Sequence, residues 1–95
     1  MHARVVALDV LPGKLDELEA FFQGDHLNQI RTAAGNRGFF MLAEPGANRA
    51  LLLSLWESAG AAEASRPIFQ AQAAEFGKLL SGTPPPQQYE VRIHP

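Results

Sequence analysis

Three segments of the chain combine β-strand composition with apolar side chains on both faces. In residues 49–56, leucines occupy both sets of alternating positions. The two faces carry Leu51, Leu53 and Leu55 on one side, and Leu52, Ser54 and Trp56 on the other. A sheet with one face in water shows a clean apolar–polar alternation instead. The sequence therefore predicts a sheet that is covered on both faces.

The same pattern recurs in residues 38–43 and, more weakly, in residues 4–10. A fourth strand is predicted over residues 89–94. Between the strands, apolar residues recur at helical spacing from Leu15 to Ala33, and Gly24 is the position where this helix is expected to kink. Further helices are predicted from Ser58 to Ser65 and from Pro67 to Leu80.

This order, β-α-β-β-α-β, indicates the ferredoxin-like fold of the α+β class: a four-stranded antiparallel sheet with helices on one face. Helices on one face leave the second apolar face bare. A second copy of the chain is the simplest cover, so a homodimer is expected. The alternative is an ordinary sheet with a few exposed apolar residues, which is common in monomers.

Composition excludes several classes of protein. The length of 95 residues predicts a single domain over residues 1–95. A net charge of −2 offers no basic surface for nucleic acid, and the absence of cysteine excludes disulfides and thiolate catalysis. Without an apolar run of transmembrane length or a signal-peptide pattern, the protein is expected in the cytoplasm, with no membrane partner. The three histidines lack metal-ligand spacing, so no metal site is predicted.

Two residues are candidates for catalysis. If the first helix continues through Gly24, His26 lies in its apolar stripe and faces the sheet, where a neutral imidazole can act as a general base. The alternatives are a core histidine with one hydrogen bond, or a residue turned outward by a kink. Arg66, just before Pro67, either stabilises an oxyanion at a pocket mouth or is an exposed side chain near a helix end.

A small-molecule pocket is expected between the helices and the sheet. Its predicted lining is Phe22, His26, Phe40, Trp56 and Phe69, a mostly apolar set typical of small-molecule sites. Trp56, at the end of its strand, either forms a wall of this pocket or anchors the core or an interface. No cofactor-binding motif is present, and no cofactor is predicted.

Several stretches of the sequence carry a family resemblance. They are residues 10–18 (VLPGKLDEL), 34–39 (AGNRGF), 53–58 (LSLWES) with 61–64 (AAEA), and 89–91 (YEV). With these the chain resembles the antibiotic biosynthesis monooxygenase-like family of dimeric α/β-barrels. The resemblance implies two ferredoxin-like protomers whose sheets pack together into a barrel.

The resemblance also implies a range of activities. Some members oxidise polycyclic aromatic phenols without metal or flavin, others degrade haem, and others process signalling molecules. For this chain the first activity is expected: a cofactor-independent monooxygenase acting on a small aromatic or enolisable molecule. His26 would remove a proton and Arg66 would hold the oxyanion. The alternative is a non-catalytic small-molecule-binding or stress-related protein that uses the same pocket.

Haem degradation is the less favoured expectation. The haem-degrading members have an Asn in the first strand, a Trp at the end of the third and a His further along. Trp56 matches this pattern, but the first strand offers Ala7 and Asp9, and Ser65 and Arg66 stand in the region where the His is required.

Overall fold

Strands and helices alternate along the chain, and each helical region is divided into two helices. The computed structural model describes residues 1–95. Short 3₁₀ turns lie at Pro45–Ala47 and Gly77–Leu79. In chain order the elements are β1 (His2–Val10), α1 (Leu15–Phe21), α2 (Asp25–Arg31), β2 (Asn36–Glu44), β3 (Arg49–Trp56), α3 (Ala59–Ala64), α4 (Arg66–Phe76), β4 (Leu80–Gly82) and β5 (Gln87–Glu90).

All neighbouring strands of the sheet are antiparallel. The order is β2-β3-β1, and β4 and β5 both pair with the outer edge of β1. This is the ferredoxin-like order, with both helical regions packed on one face, and it confirms the predicted α+β fold class. The longest helix, α4, has 11 residues, too few to span a bilayer.

The outer edge of β1 is covered in two pieces. β5 pairs with residues 2–5 of β1 and β4 with Asp9 and Val10, so residues 6–8 have no strand partner on that side. The link between β4 and β5 contains Pro84, Pro85 and Pro86, which have no N–H to donate to a ladder. The fourth strand predicted over residues 89–94 corresponds to β5, which begins two residues earlier and ends at Glu90.

Both predicted helix boundaries at the ends of long apolar stripes need correction. The first helix does not kink at Gly24 but is interrupted there: α1 ends at Phe21 and α2 begins at Asp25. Gly24 cannot continue a helix, because its φ of 73° and ψ of −131° lie outside the helical region. The helix predicted to reach Leu80 ends at Phe76, and a 3₁₀ turn leads into β4. Leu79 remains buried in that turn, which explains why the apolar stripe extends beyond the helix.

The core lies between the helices and one face of the sheet. From the sheet it receives the even-numbered residues of β1 and β3, since alternate side chains of a strand point to the same face. Ile30, Phe69 and Phe76 are among the helical residues that meet them. The main buried residues are Leu8, Val10, Leu18, Phe22, Ile30, Ala50, Leu52, Trp56, Ala62, Phe69, Phe76 and Leu79.

The opposite face of the sheet has no helix over it. Across its centre Leu53 stands between Val5 of β1 and Phe40 of β2. Phe40 is 49% exposed, and Leu42 and Tyr89 are exposed to a similar extent. We refer to this surface as the open face; its main side chains are Val5, Phe40, Leu42, Leu51, Leu53, Leu55 and Tyr89.

Candidate functional site

A groove of about 380 Å³ runs between α1 and the edge strand β2. Its floor is aromatic, because Phe22 packs with ring centroids 5.5 Å from Phe39 and 5.4 Å from Phe76. Asp16, Glu19 and Gln23 provide its polar side chains. The full lining is Leu15, Asp16, Glu19, Phe22, Gln23, Leu27, Phe39, Met41, Ala43 and Pro45.

The elements explain why this groove is apolar inside and acidic at the α1 side. α1 directs Leu18 into the core, and Asp16 and Glu19 stay on its exposed surface. On β2, Phe39 and Met41 face the helices, where they pack against the core. As β2 is an edge strand, the groove opens towards solvent along its length.

Of the five residues predicted to line one pocket, only Phe22 lines this groove. Phe40 lies on the other side of the sheet, on the open face. The reason is strand alternation: Phe39 pairs with Ser54, whose side chain faces the helices, so the next residue must point away. The helix-facing position that the prediction gave to Phe40 belongs to Phe39.

Trp56 and Phe69 are core residues. Trp56 is 0% exposed, and its indole Nε1 donates a hydrogen bond of 2.9 Å to Ser54 Oγ. Phe69 meets the indole edge-on, with ring centroids 6.3 Å apart, and is itself buried. Of the two alternatives for Trp56, the structure therefore shows the core anchor.

His26 lies at the surface between α2 and α4. Because the helix is interrupted at Gly24, the side chains of α2 do not continue the apolar stripe of α1. The expectation that His26 faces the sheet is therefore wrong. Its Nε2 lies 3.4 Å from Glu75 Oε2, and its ring stacks on Phe21 with centroids 3.9 Å apart. About a third of the side chain is exposed, at 32%. Phe21 and Glu75 could not be predicted as neighbours of His26, because the packing of helices against one another, and not spacing along the chain, places them beside its ring.

Arg66 is the first residue of α4, at the break between the two helices where it was expected. Its Nη1 donates to Glu63 Oε1 over 2.8 Å, and about half of the side chain is exposed. Neither His26 nor Arg66 lines the groove beside α1. The two predicted catalytic residues are therefore each held by a carboxylate outside the groove.

Arg4 is a functional candidate that is not among the residues predicted from the sequence. It is 8% exposed, its guanidinium carbon lies 5.0 Å from the centre of the Phe69 ring, and its Nε and Nη1 have no hydrogen-bond partner. Burial, together with the positive charge of Arg66, lowers the pKa of Arg4, and Glu63 partly offsets this. A signal was present, because Arg4 has the same parity as the helix-facing Val6, Leu8 and Val10.

Solved structures match the fold over the length of the chain. A provisionally assigned antibiotic biosynthesis monooxygenase from Nitrosomonas europaea has a TM-score of 0.81 and 17% identity, covering 98% of this chain and 100% of its own. Another from Bordetella bronchiseptica has a TM-score of 0.80 and 18% identity, covering 97% of both chains.

A variant of the protein MhuD with two manganese protoporphyrin IX molecules bound per active site also matches. Its TM-score is 0.79 with 23% identity, over 99% of this chain and 97% of its own. At these identities the likeness shows the fold alone. The chain matches none of the curated proteins.

Family membership follows from the sequence itself. The model of the family described as antibiotic biosynthesis monooxygenase matches residues 1–80. That range includes β1, β2, β3 and all four helices, and so contains the groove together with Arg4, His26 and Arg66. The chain belongs to the antibiotic biosynthesis monooxygenase family.

Proposed function

We propose that the protein is a monooxygenase that binds a small aromatic or enolisable molecule in the groove between α1 and β2. The observation that carries the proposal is the groove itself. Its volume of about 380 Å³ is in the range of small-molecule sites, and its aromatic floor with few polar groups is typical of them. Membership of the family supports the reaction type.

The proposed chemistry needs only oxygen and a proton acceptor. A base removes a proton from a CH₂ group beside a carbonyl or a phenol, and the carbanion passes electrons to oxygen. One oxygen atom replaces the two hydrogens as a carbonyl, and the other leaves with them as water. The CH₂ group thus supplies all four electrons that reduce oxygen.

His26 is the proposed base. It has a carboxylate partner in Glu75, and such a pair orients an imidazole. His26 also follows the groove closely in sequence, since the next residue, Leu27, is part of the lining. Arg66 is the proposed oxyanion partner, and to reach a substrate it must leave Glu63.

A second candidate function is binding without catalysis. It is favoured by the positions of His26 and Arg66, both held by carboxylates outside the groove. In that case the groove alone is functional. The two candidates therefore share a ligand site and differ in whether the bound molecule is turned over.

Binding in the groove can be measured through Met41. Only two methionines are present, so methyl-labelled protein gives a Met41 signal from the groove and a Met1 signal as an internal control. Titration with a panel of phenols and quinols should shift the Met41 methyl resonance and leave that of Met1 in place. Ala43→Leu, which fills the groove, should weaken this response, and Ala47→Leu in the following turn should not.

Catalysis can be measured as oxygen uptake with the compounds that bind. His26→Asn should lower the rate by roughly 10² to 10⁴, the usual contribution of general acid–base catalysis. His94→Asn is the matched control, because His94 is exposed and bonds only to the neighbouring Pro95 carbonyl. Turnover at the parent rate in His26→Asn would exclude His26 as the base, and a parent protein that binds these compounds without oxygen uptake would leave binding alone as the function.

Haem is not proposed as a ligand. After Trp56, Ser65 is buried with its hydroxyl donating to the Ala62 carbonyl over 2.6 Å, and Arg66 is paired with Glu63. Neither side chain is an iron ligand. The indole of Trp56 is itself enclosed in the core. These residues do not fit a haem bound in the manner that the family pattern requires.

A further inference from the structure

Arg4 is a buried charge without a countercharge. It lies on the helix-facing side of β1, opposite Ser54 of β3, and is 8% exposed. Its Nε and Nη1 are enclosed and make no hydrogen bond. Buried arginines are normally paired, because an unsatisfied donor loses its hydration without compensation. The third nitrogen, Nη2, is not among these enclosed donors.

The surroundings of Arg4 concentrate positive charge. Arg66 is near enough to disfavour its charged form, and the only carboxylate that opposes this effect is Glu63. Glu63 already accepts a hydrogen bond of 2.8 Å from Arg66 and forms no ion pair with Arg4. The two guanidinium groups of Arg4 and Arg66 and the one carboxylate of Glu63 together carry a net charge of +1.

The apolar neighbours of Arg4 restrict the kind of anion that fits. The face of Phe69 lies 5.0 Å from the guanidinium carbon, and Phe69 in turn contacts Trp56. An anion with an apolar body is favoured over a small, strongly hydrated ion in such surroundings. The planar guanidinium also matches the two oxygens of a carboxylate.

We propose that Arg4, assisted by Arg66, binds the carboxylate of a small organic acid at a site separate from the groove beside α1. The carboxylate accepts from Nη2, the guanidinium nitrogen that is not among the enclosed donors. None of the residues of this site lines that groove, and Arg66 is the one residue that the two proposals share.

Trp56 provides the readout. It is the only tryptophan and contacts Phe69, over which Arg4 sits. Cyclohexanecarboxylate, which is transparent at the excitation wavelength, should change the fluorescence of Trp56 in a saturable manner. It should also raise the thermal unfolding midpoint of the parent protein. Cyclohexanecarboxamide, of the same shape but uncharged, and chloride at equal ionic strength should do neither.

Variants then test the assignment. Arg4→Met should abolish the response or weaken affinity by about tenfold or more, since charged hydrogen bonds are the strong ones. Arg4→Lys keeps the charge but not the planar fork and should bind with intermediate affinity. Arg92→Met is the control, because Arg92 is exposed near the end of the chain and should respond as the parent does.

Three results would overturn the proposal. The first is a parent protein with no saturable response to the carboxylate. The second is an equal response to the amide or to chloride. The third is an undiminished response in Arg4→Met. If Arg4→Met does not fold, the comparison of parent and Arg4→Lys still decides, because equal affinity in these two would exclude recognition by the guanidinium fork.

Discussion

Gly35 is the glycine with the least room for a side chain. It precedes β2 with φ +82°, and a Cβ atom added there would lie 2.6 Å from the Cβ of Ala61. Its carbonyl also accepts a hydrogen bond of 2.8 Å from the Glu57 amide. One glycine therefore holds the start of β2 against the loop and helix that follow β3.

Gly35→Ala should lower the free energy of unfolding by about 3 kcal/mol, combining left-handed backbone strain with overpacking. Gly13→Ala is the matched control. Gly13 has nearly the same φ, +80°, but nothing lies within 4 Å of an added Cβ. It should lose only the backbone contribution, about 1 kcal/mol. Urea unfolding of both variants measures the difference, and equal losses would show that the contact with Ala61 has no energetic weight.

Side-chain alternation predicts the facing of most residues of the sheet, and the placement of Phe40 was wrong because it departed from that alternation. The opposition of Phe39 and Phe40 was recognised, yet Phe40 was placed in the helix-side pocket together with Trp56. Arg4 was overlooked because a charged residue at the start of a strand is usually solvated. The neighbours of His26 depend on how α2 packs on α4, which periodicity within one helix does not contain.

Among the elements, α3 has a start that one local residue, the N-cap Ser58, is sufficient to predict. Ser58 was predicted to start this helix, and its Oγ accepts a hydrogen bond of 3.1 Å from the Ala61 amide. The Ser58 backbone is extended, as an N-cap requires. This short helix depends on its cap, since six residues provide few internal hydrogen bonds.

Ser58→Ala should therefore lower the free energy of unfolding by about 1 kcal/mol. Ser81→Ala is a suitable comparison, because Ser81 is exposed and makes only a long hydrogen bond of 3.3 Å to the Asp9 carbonyl. Its loss should be smaller, within about 0.5 kcal/mol. Thermal or urea unfolding distinguishes the two, and a Ser58→Ala variant as stable as the parent would contradict the role of the cap.

The order of the main elements was predictable, whereas the short strand β4, the division of the first helix and several element ends were not. β3 was predicted with its observed bounds, because charged and turn residues flank a continuous apolar run. At Gly24 the sequence allowed a kink or a stop, and only the backbone conformation distinguishes them. The bounds of β4 and β5 are determined by pairing with the outer edge of β1. This partner lies about 80 residues away in the chain, so no local sequence pattern reveals it.

For the whole molecule, the open face has the greatest consequence. Phe40, Leu42 and Tyr89 are about half exposed on one surface, and each would gain about 1 kcal/mol from complete burial. Contiguous exposed apolar surface of this kind marks an interaction site. A second copy of the chain, packed face to face, remains the predicted cover.

Leu53→Glu tests this prediction, because Leu53 lies at the centre of the open face between Val5 and Phe40. Sedimentation at micromolar concentration should give about twice the chain mass of 10.3 kDa for the parent and the single chain mass for the variant. Ala74→Glu, on the exposed side of α4, should remain dimeric. A monomeric parent would contradict the prediction outright.

The pairing of β1 also fixes the order in which the sheet can be completed during synthesis. β1 is made first and acquires β3 as an inner partner, but its outer edge waits for residues 87–90. The bond between His2 and Gln88 closes a loop of 86 residues. Until then a nascent chain carries an unpaired edge next to an uncovered apolar face, the combination most prone to pair with another chain. Rapid completion of synthesis and a low concentration of other nascent chains should therefore protect this protein from aggregation more than they protect a protein whose first strand is enclosed early.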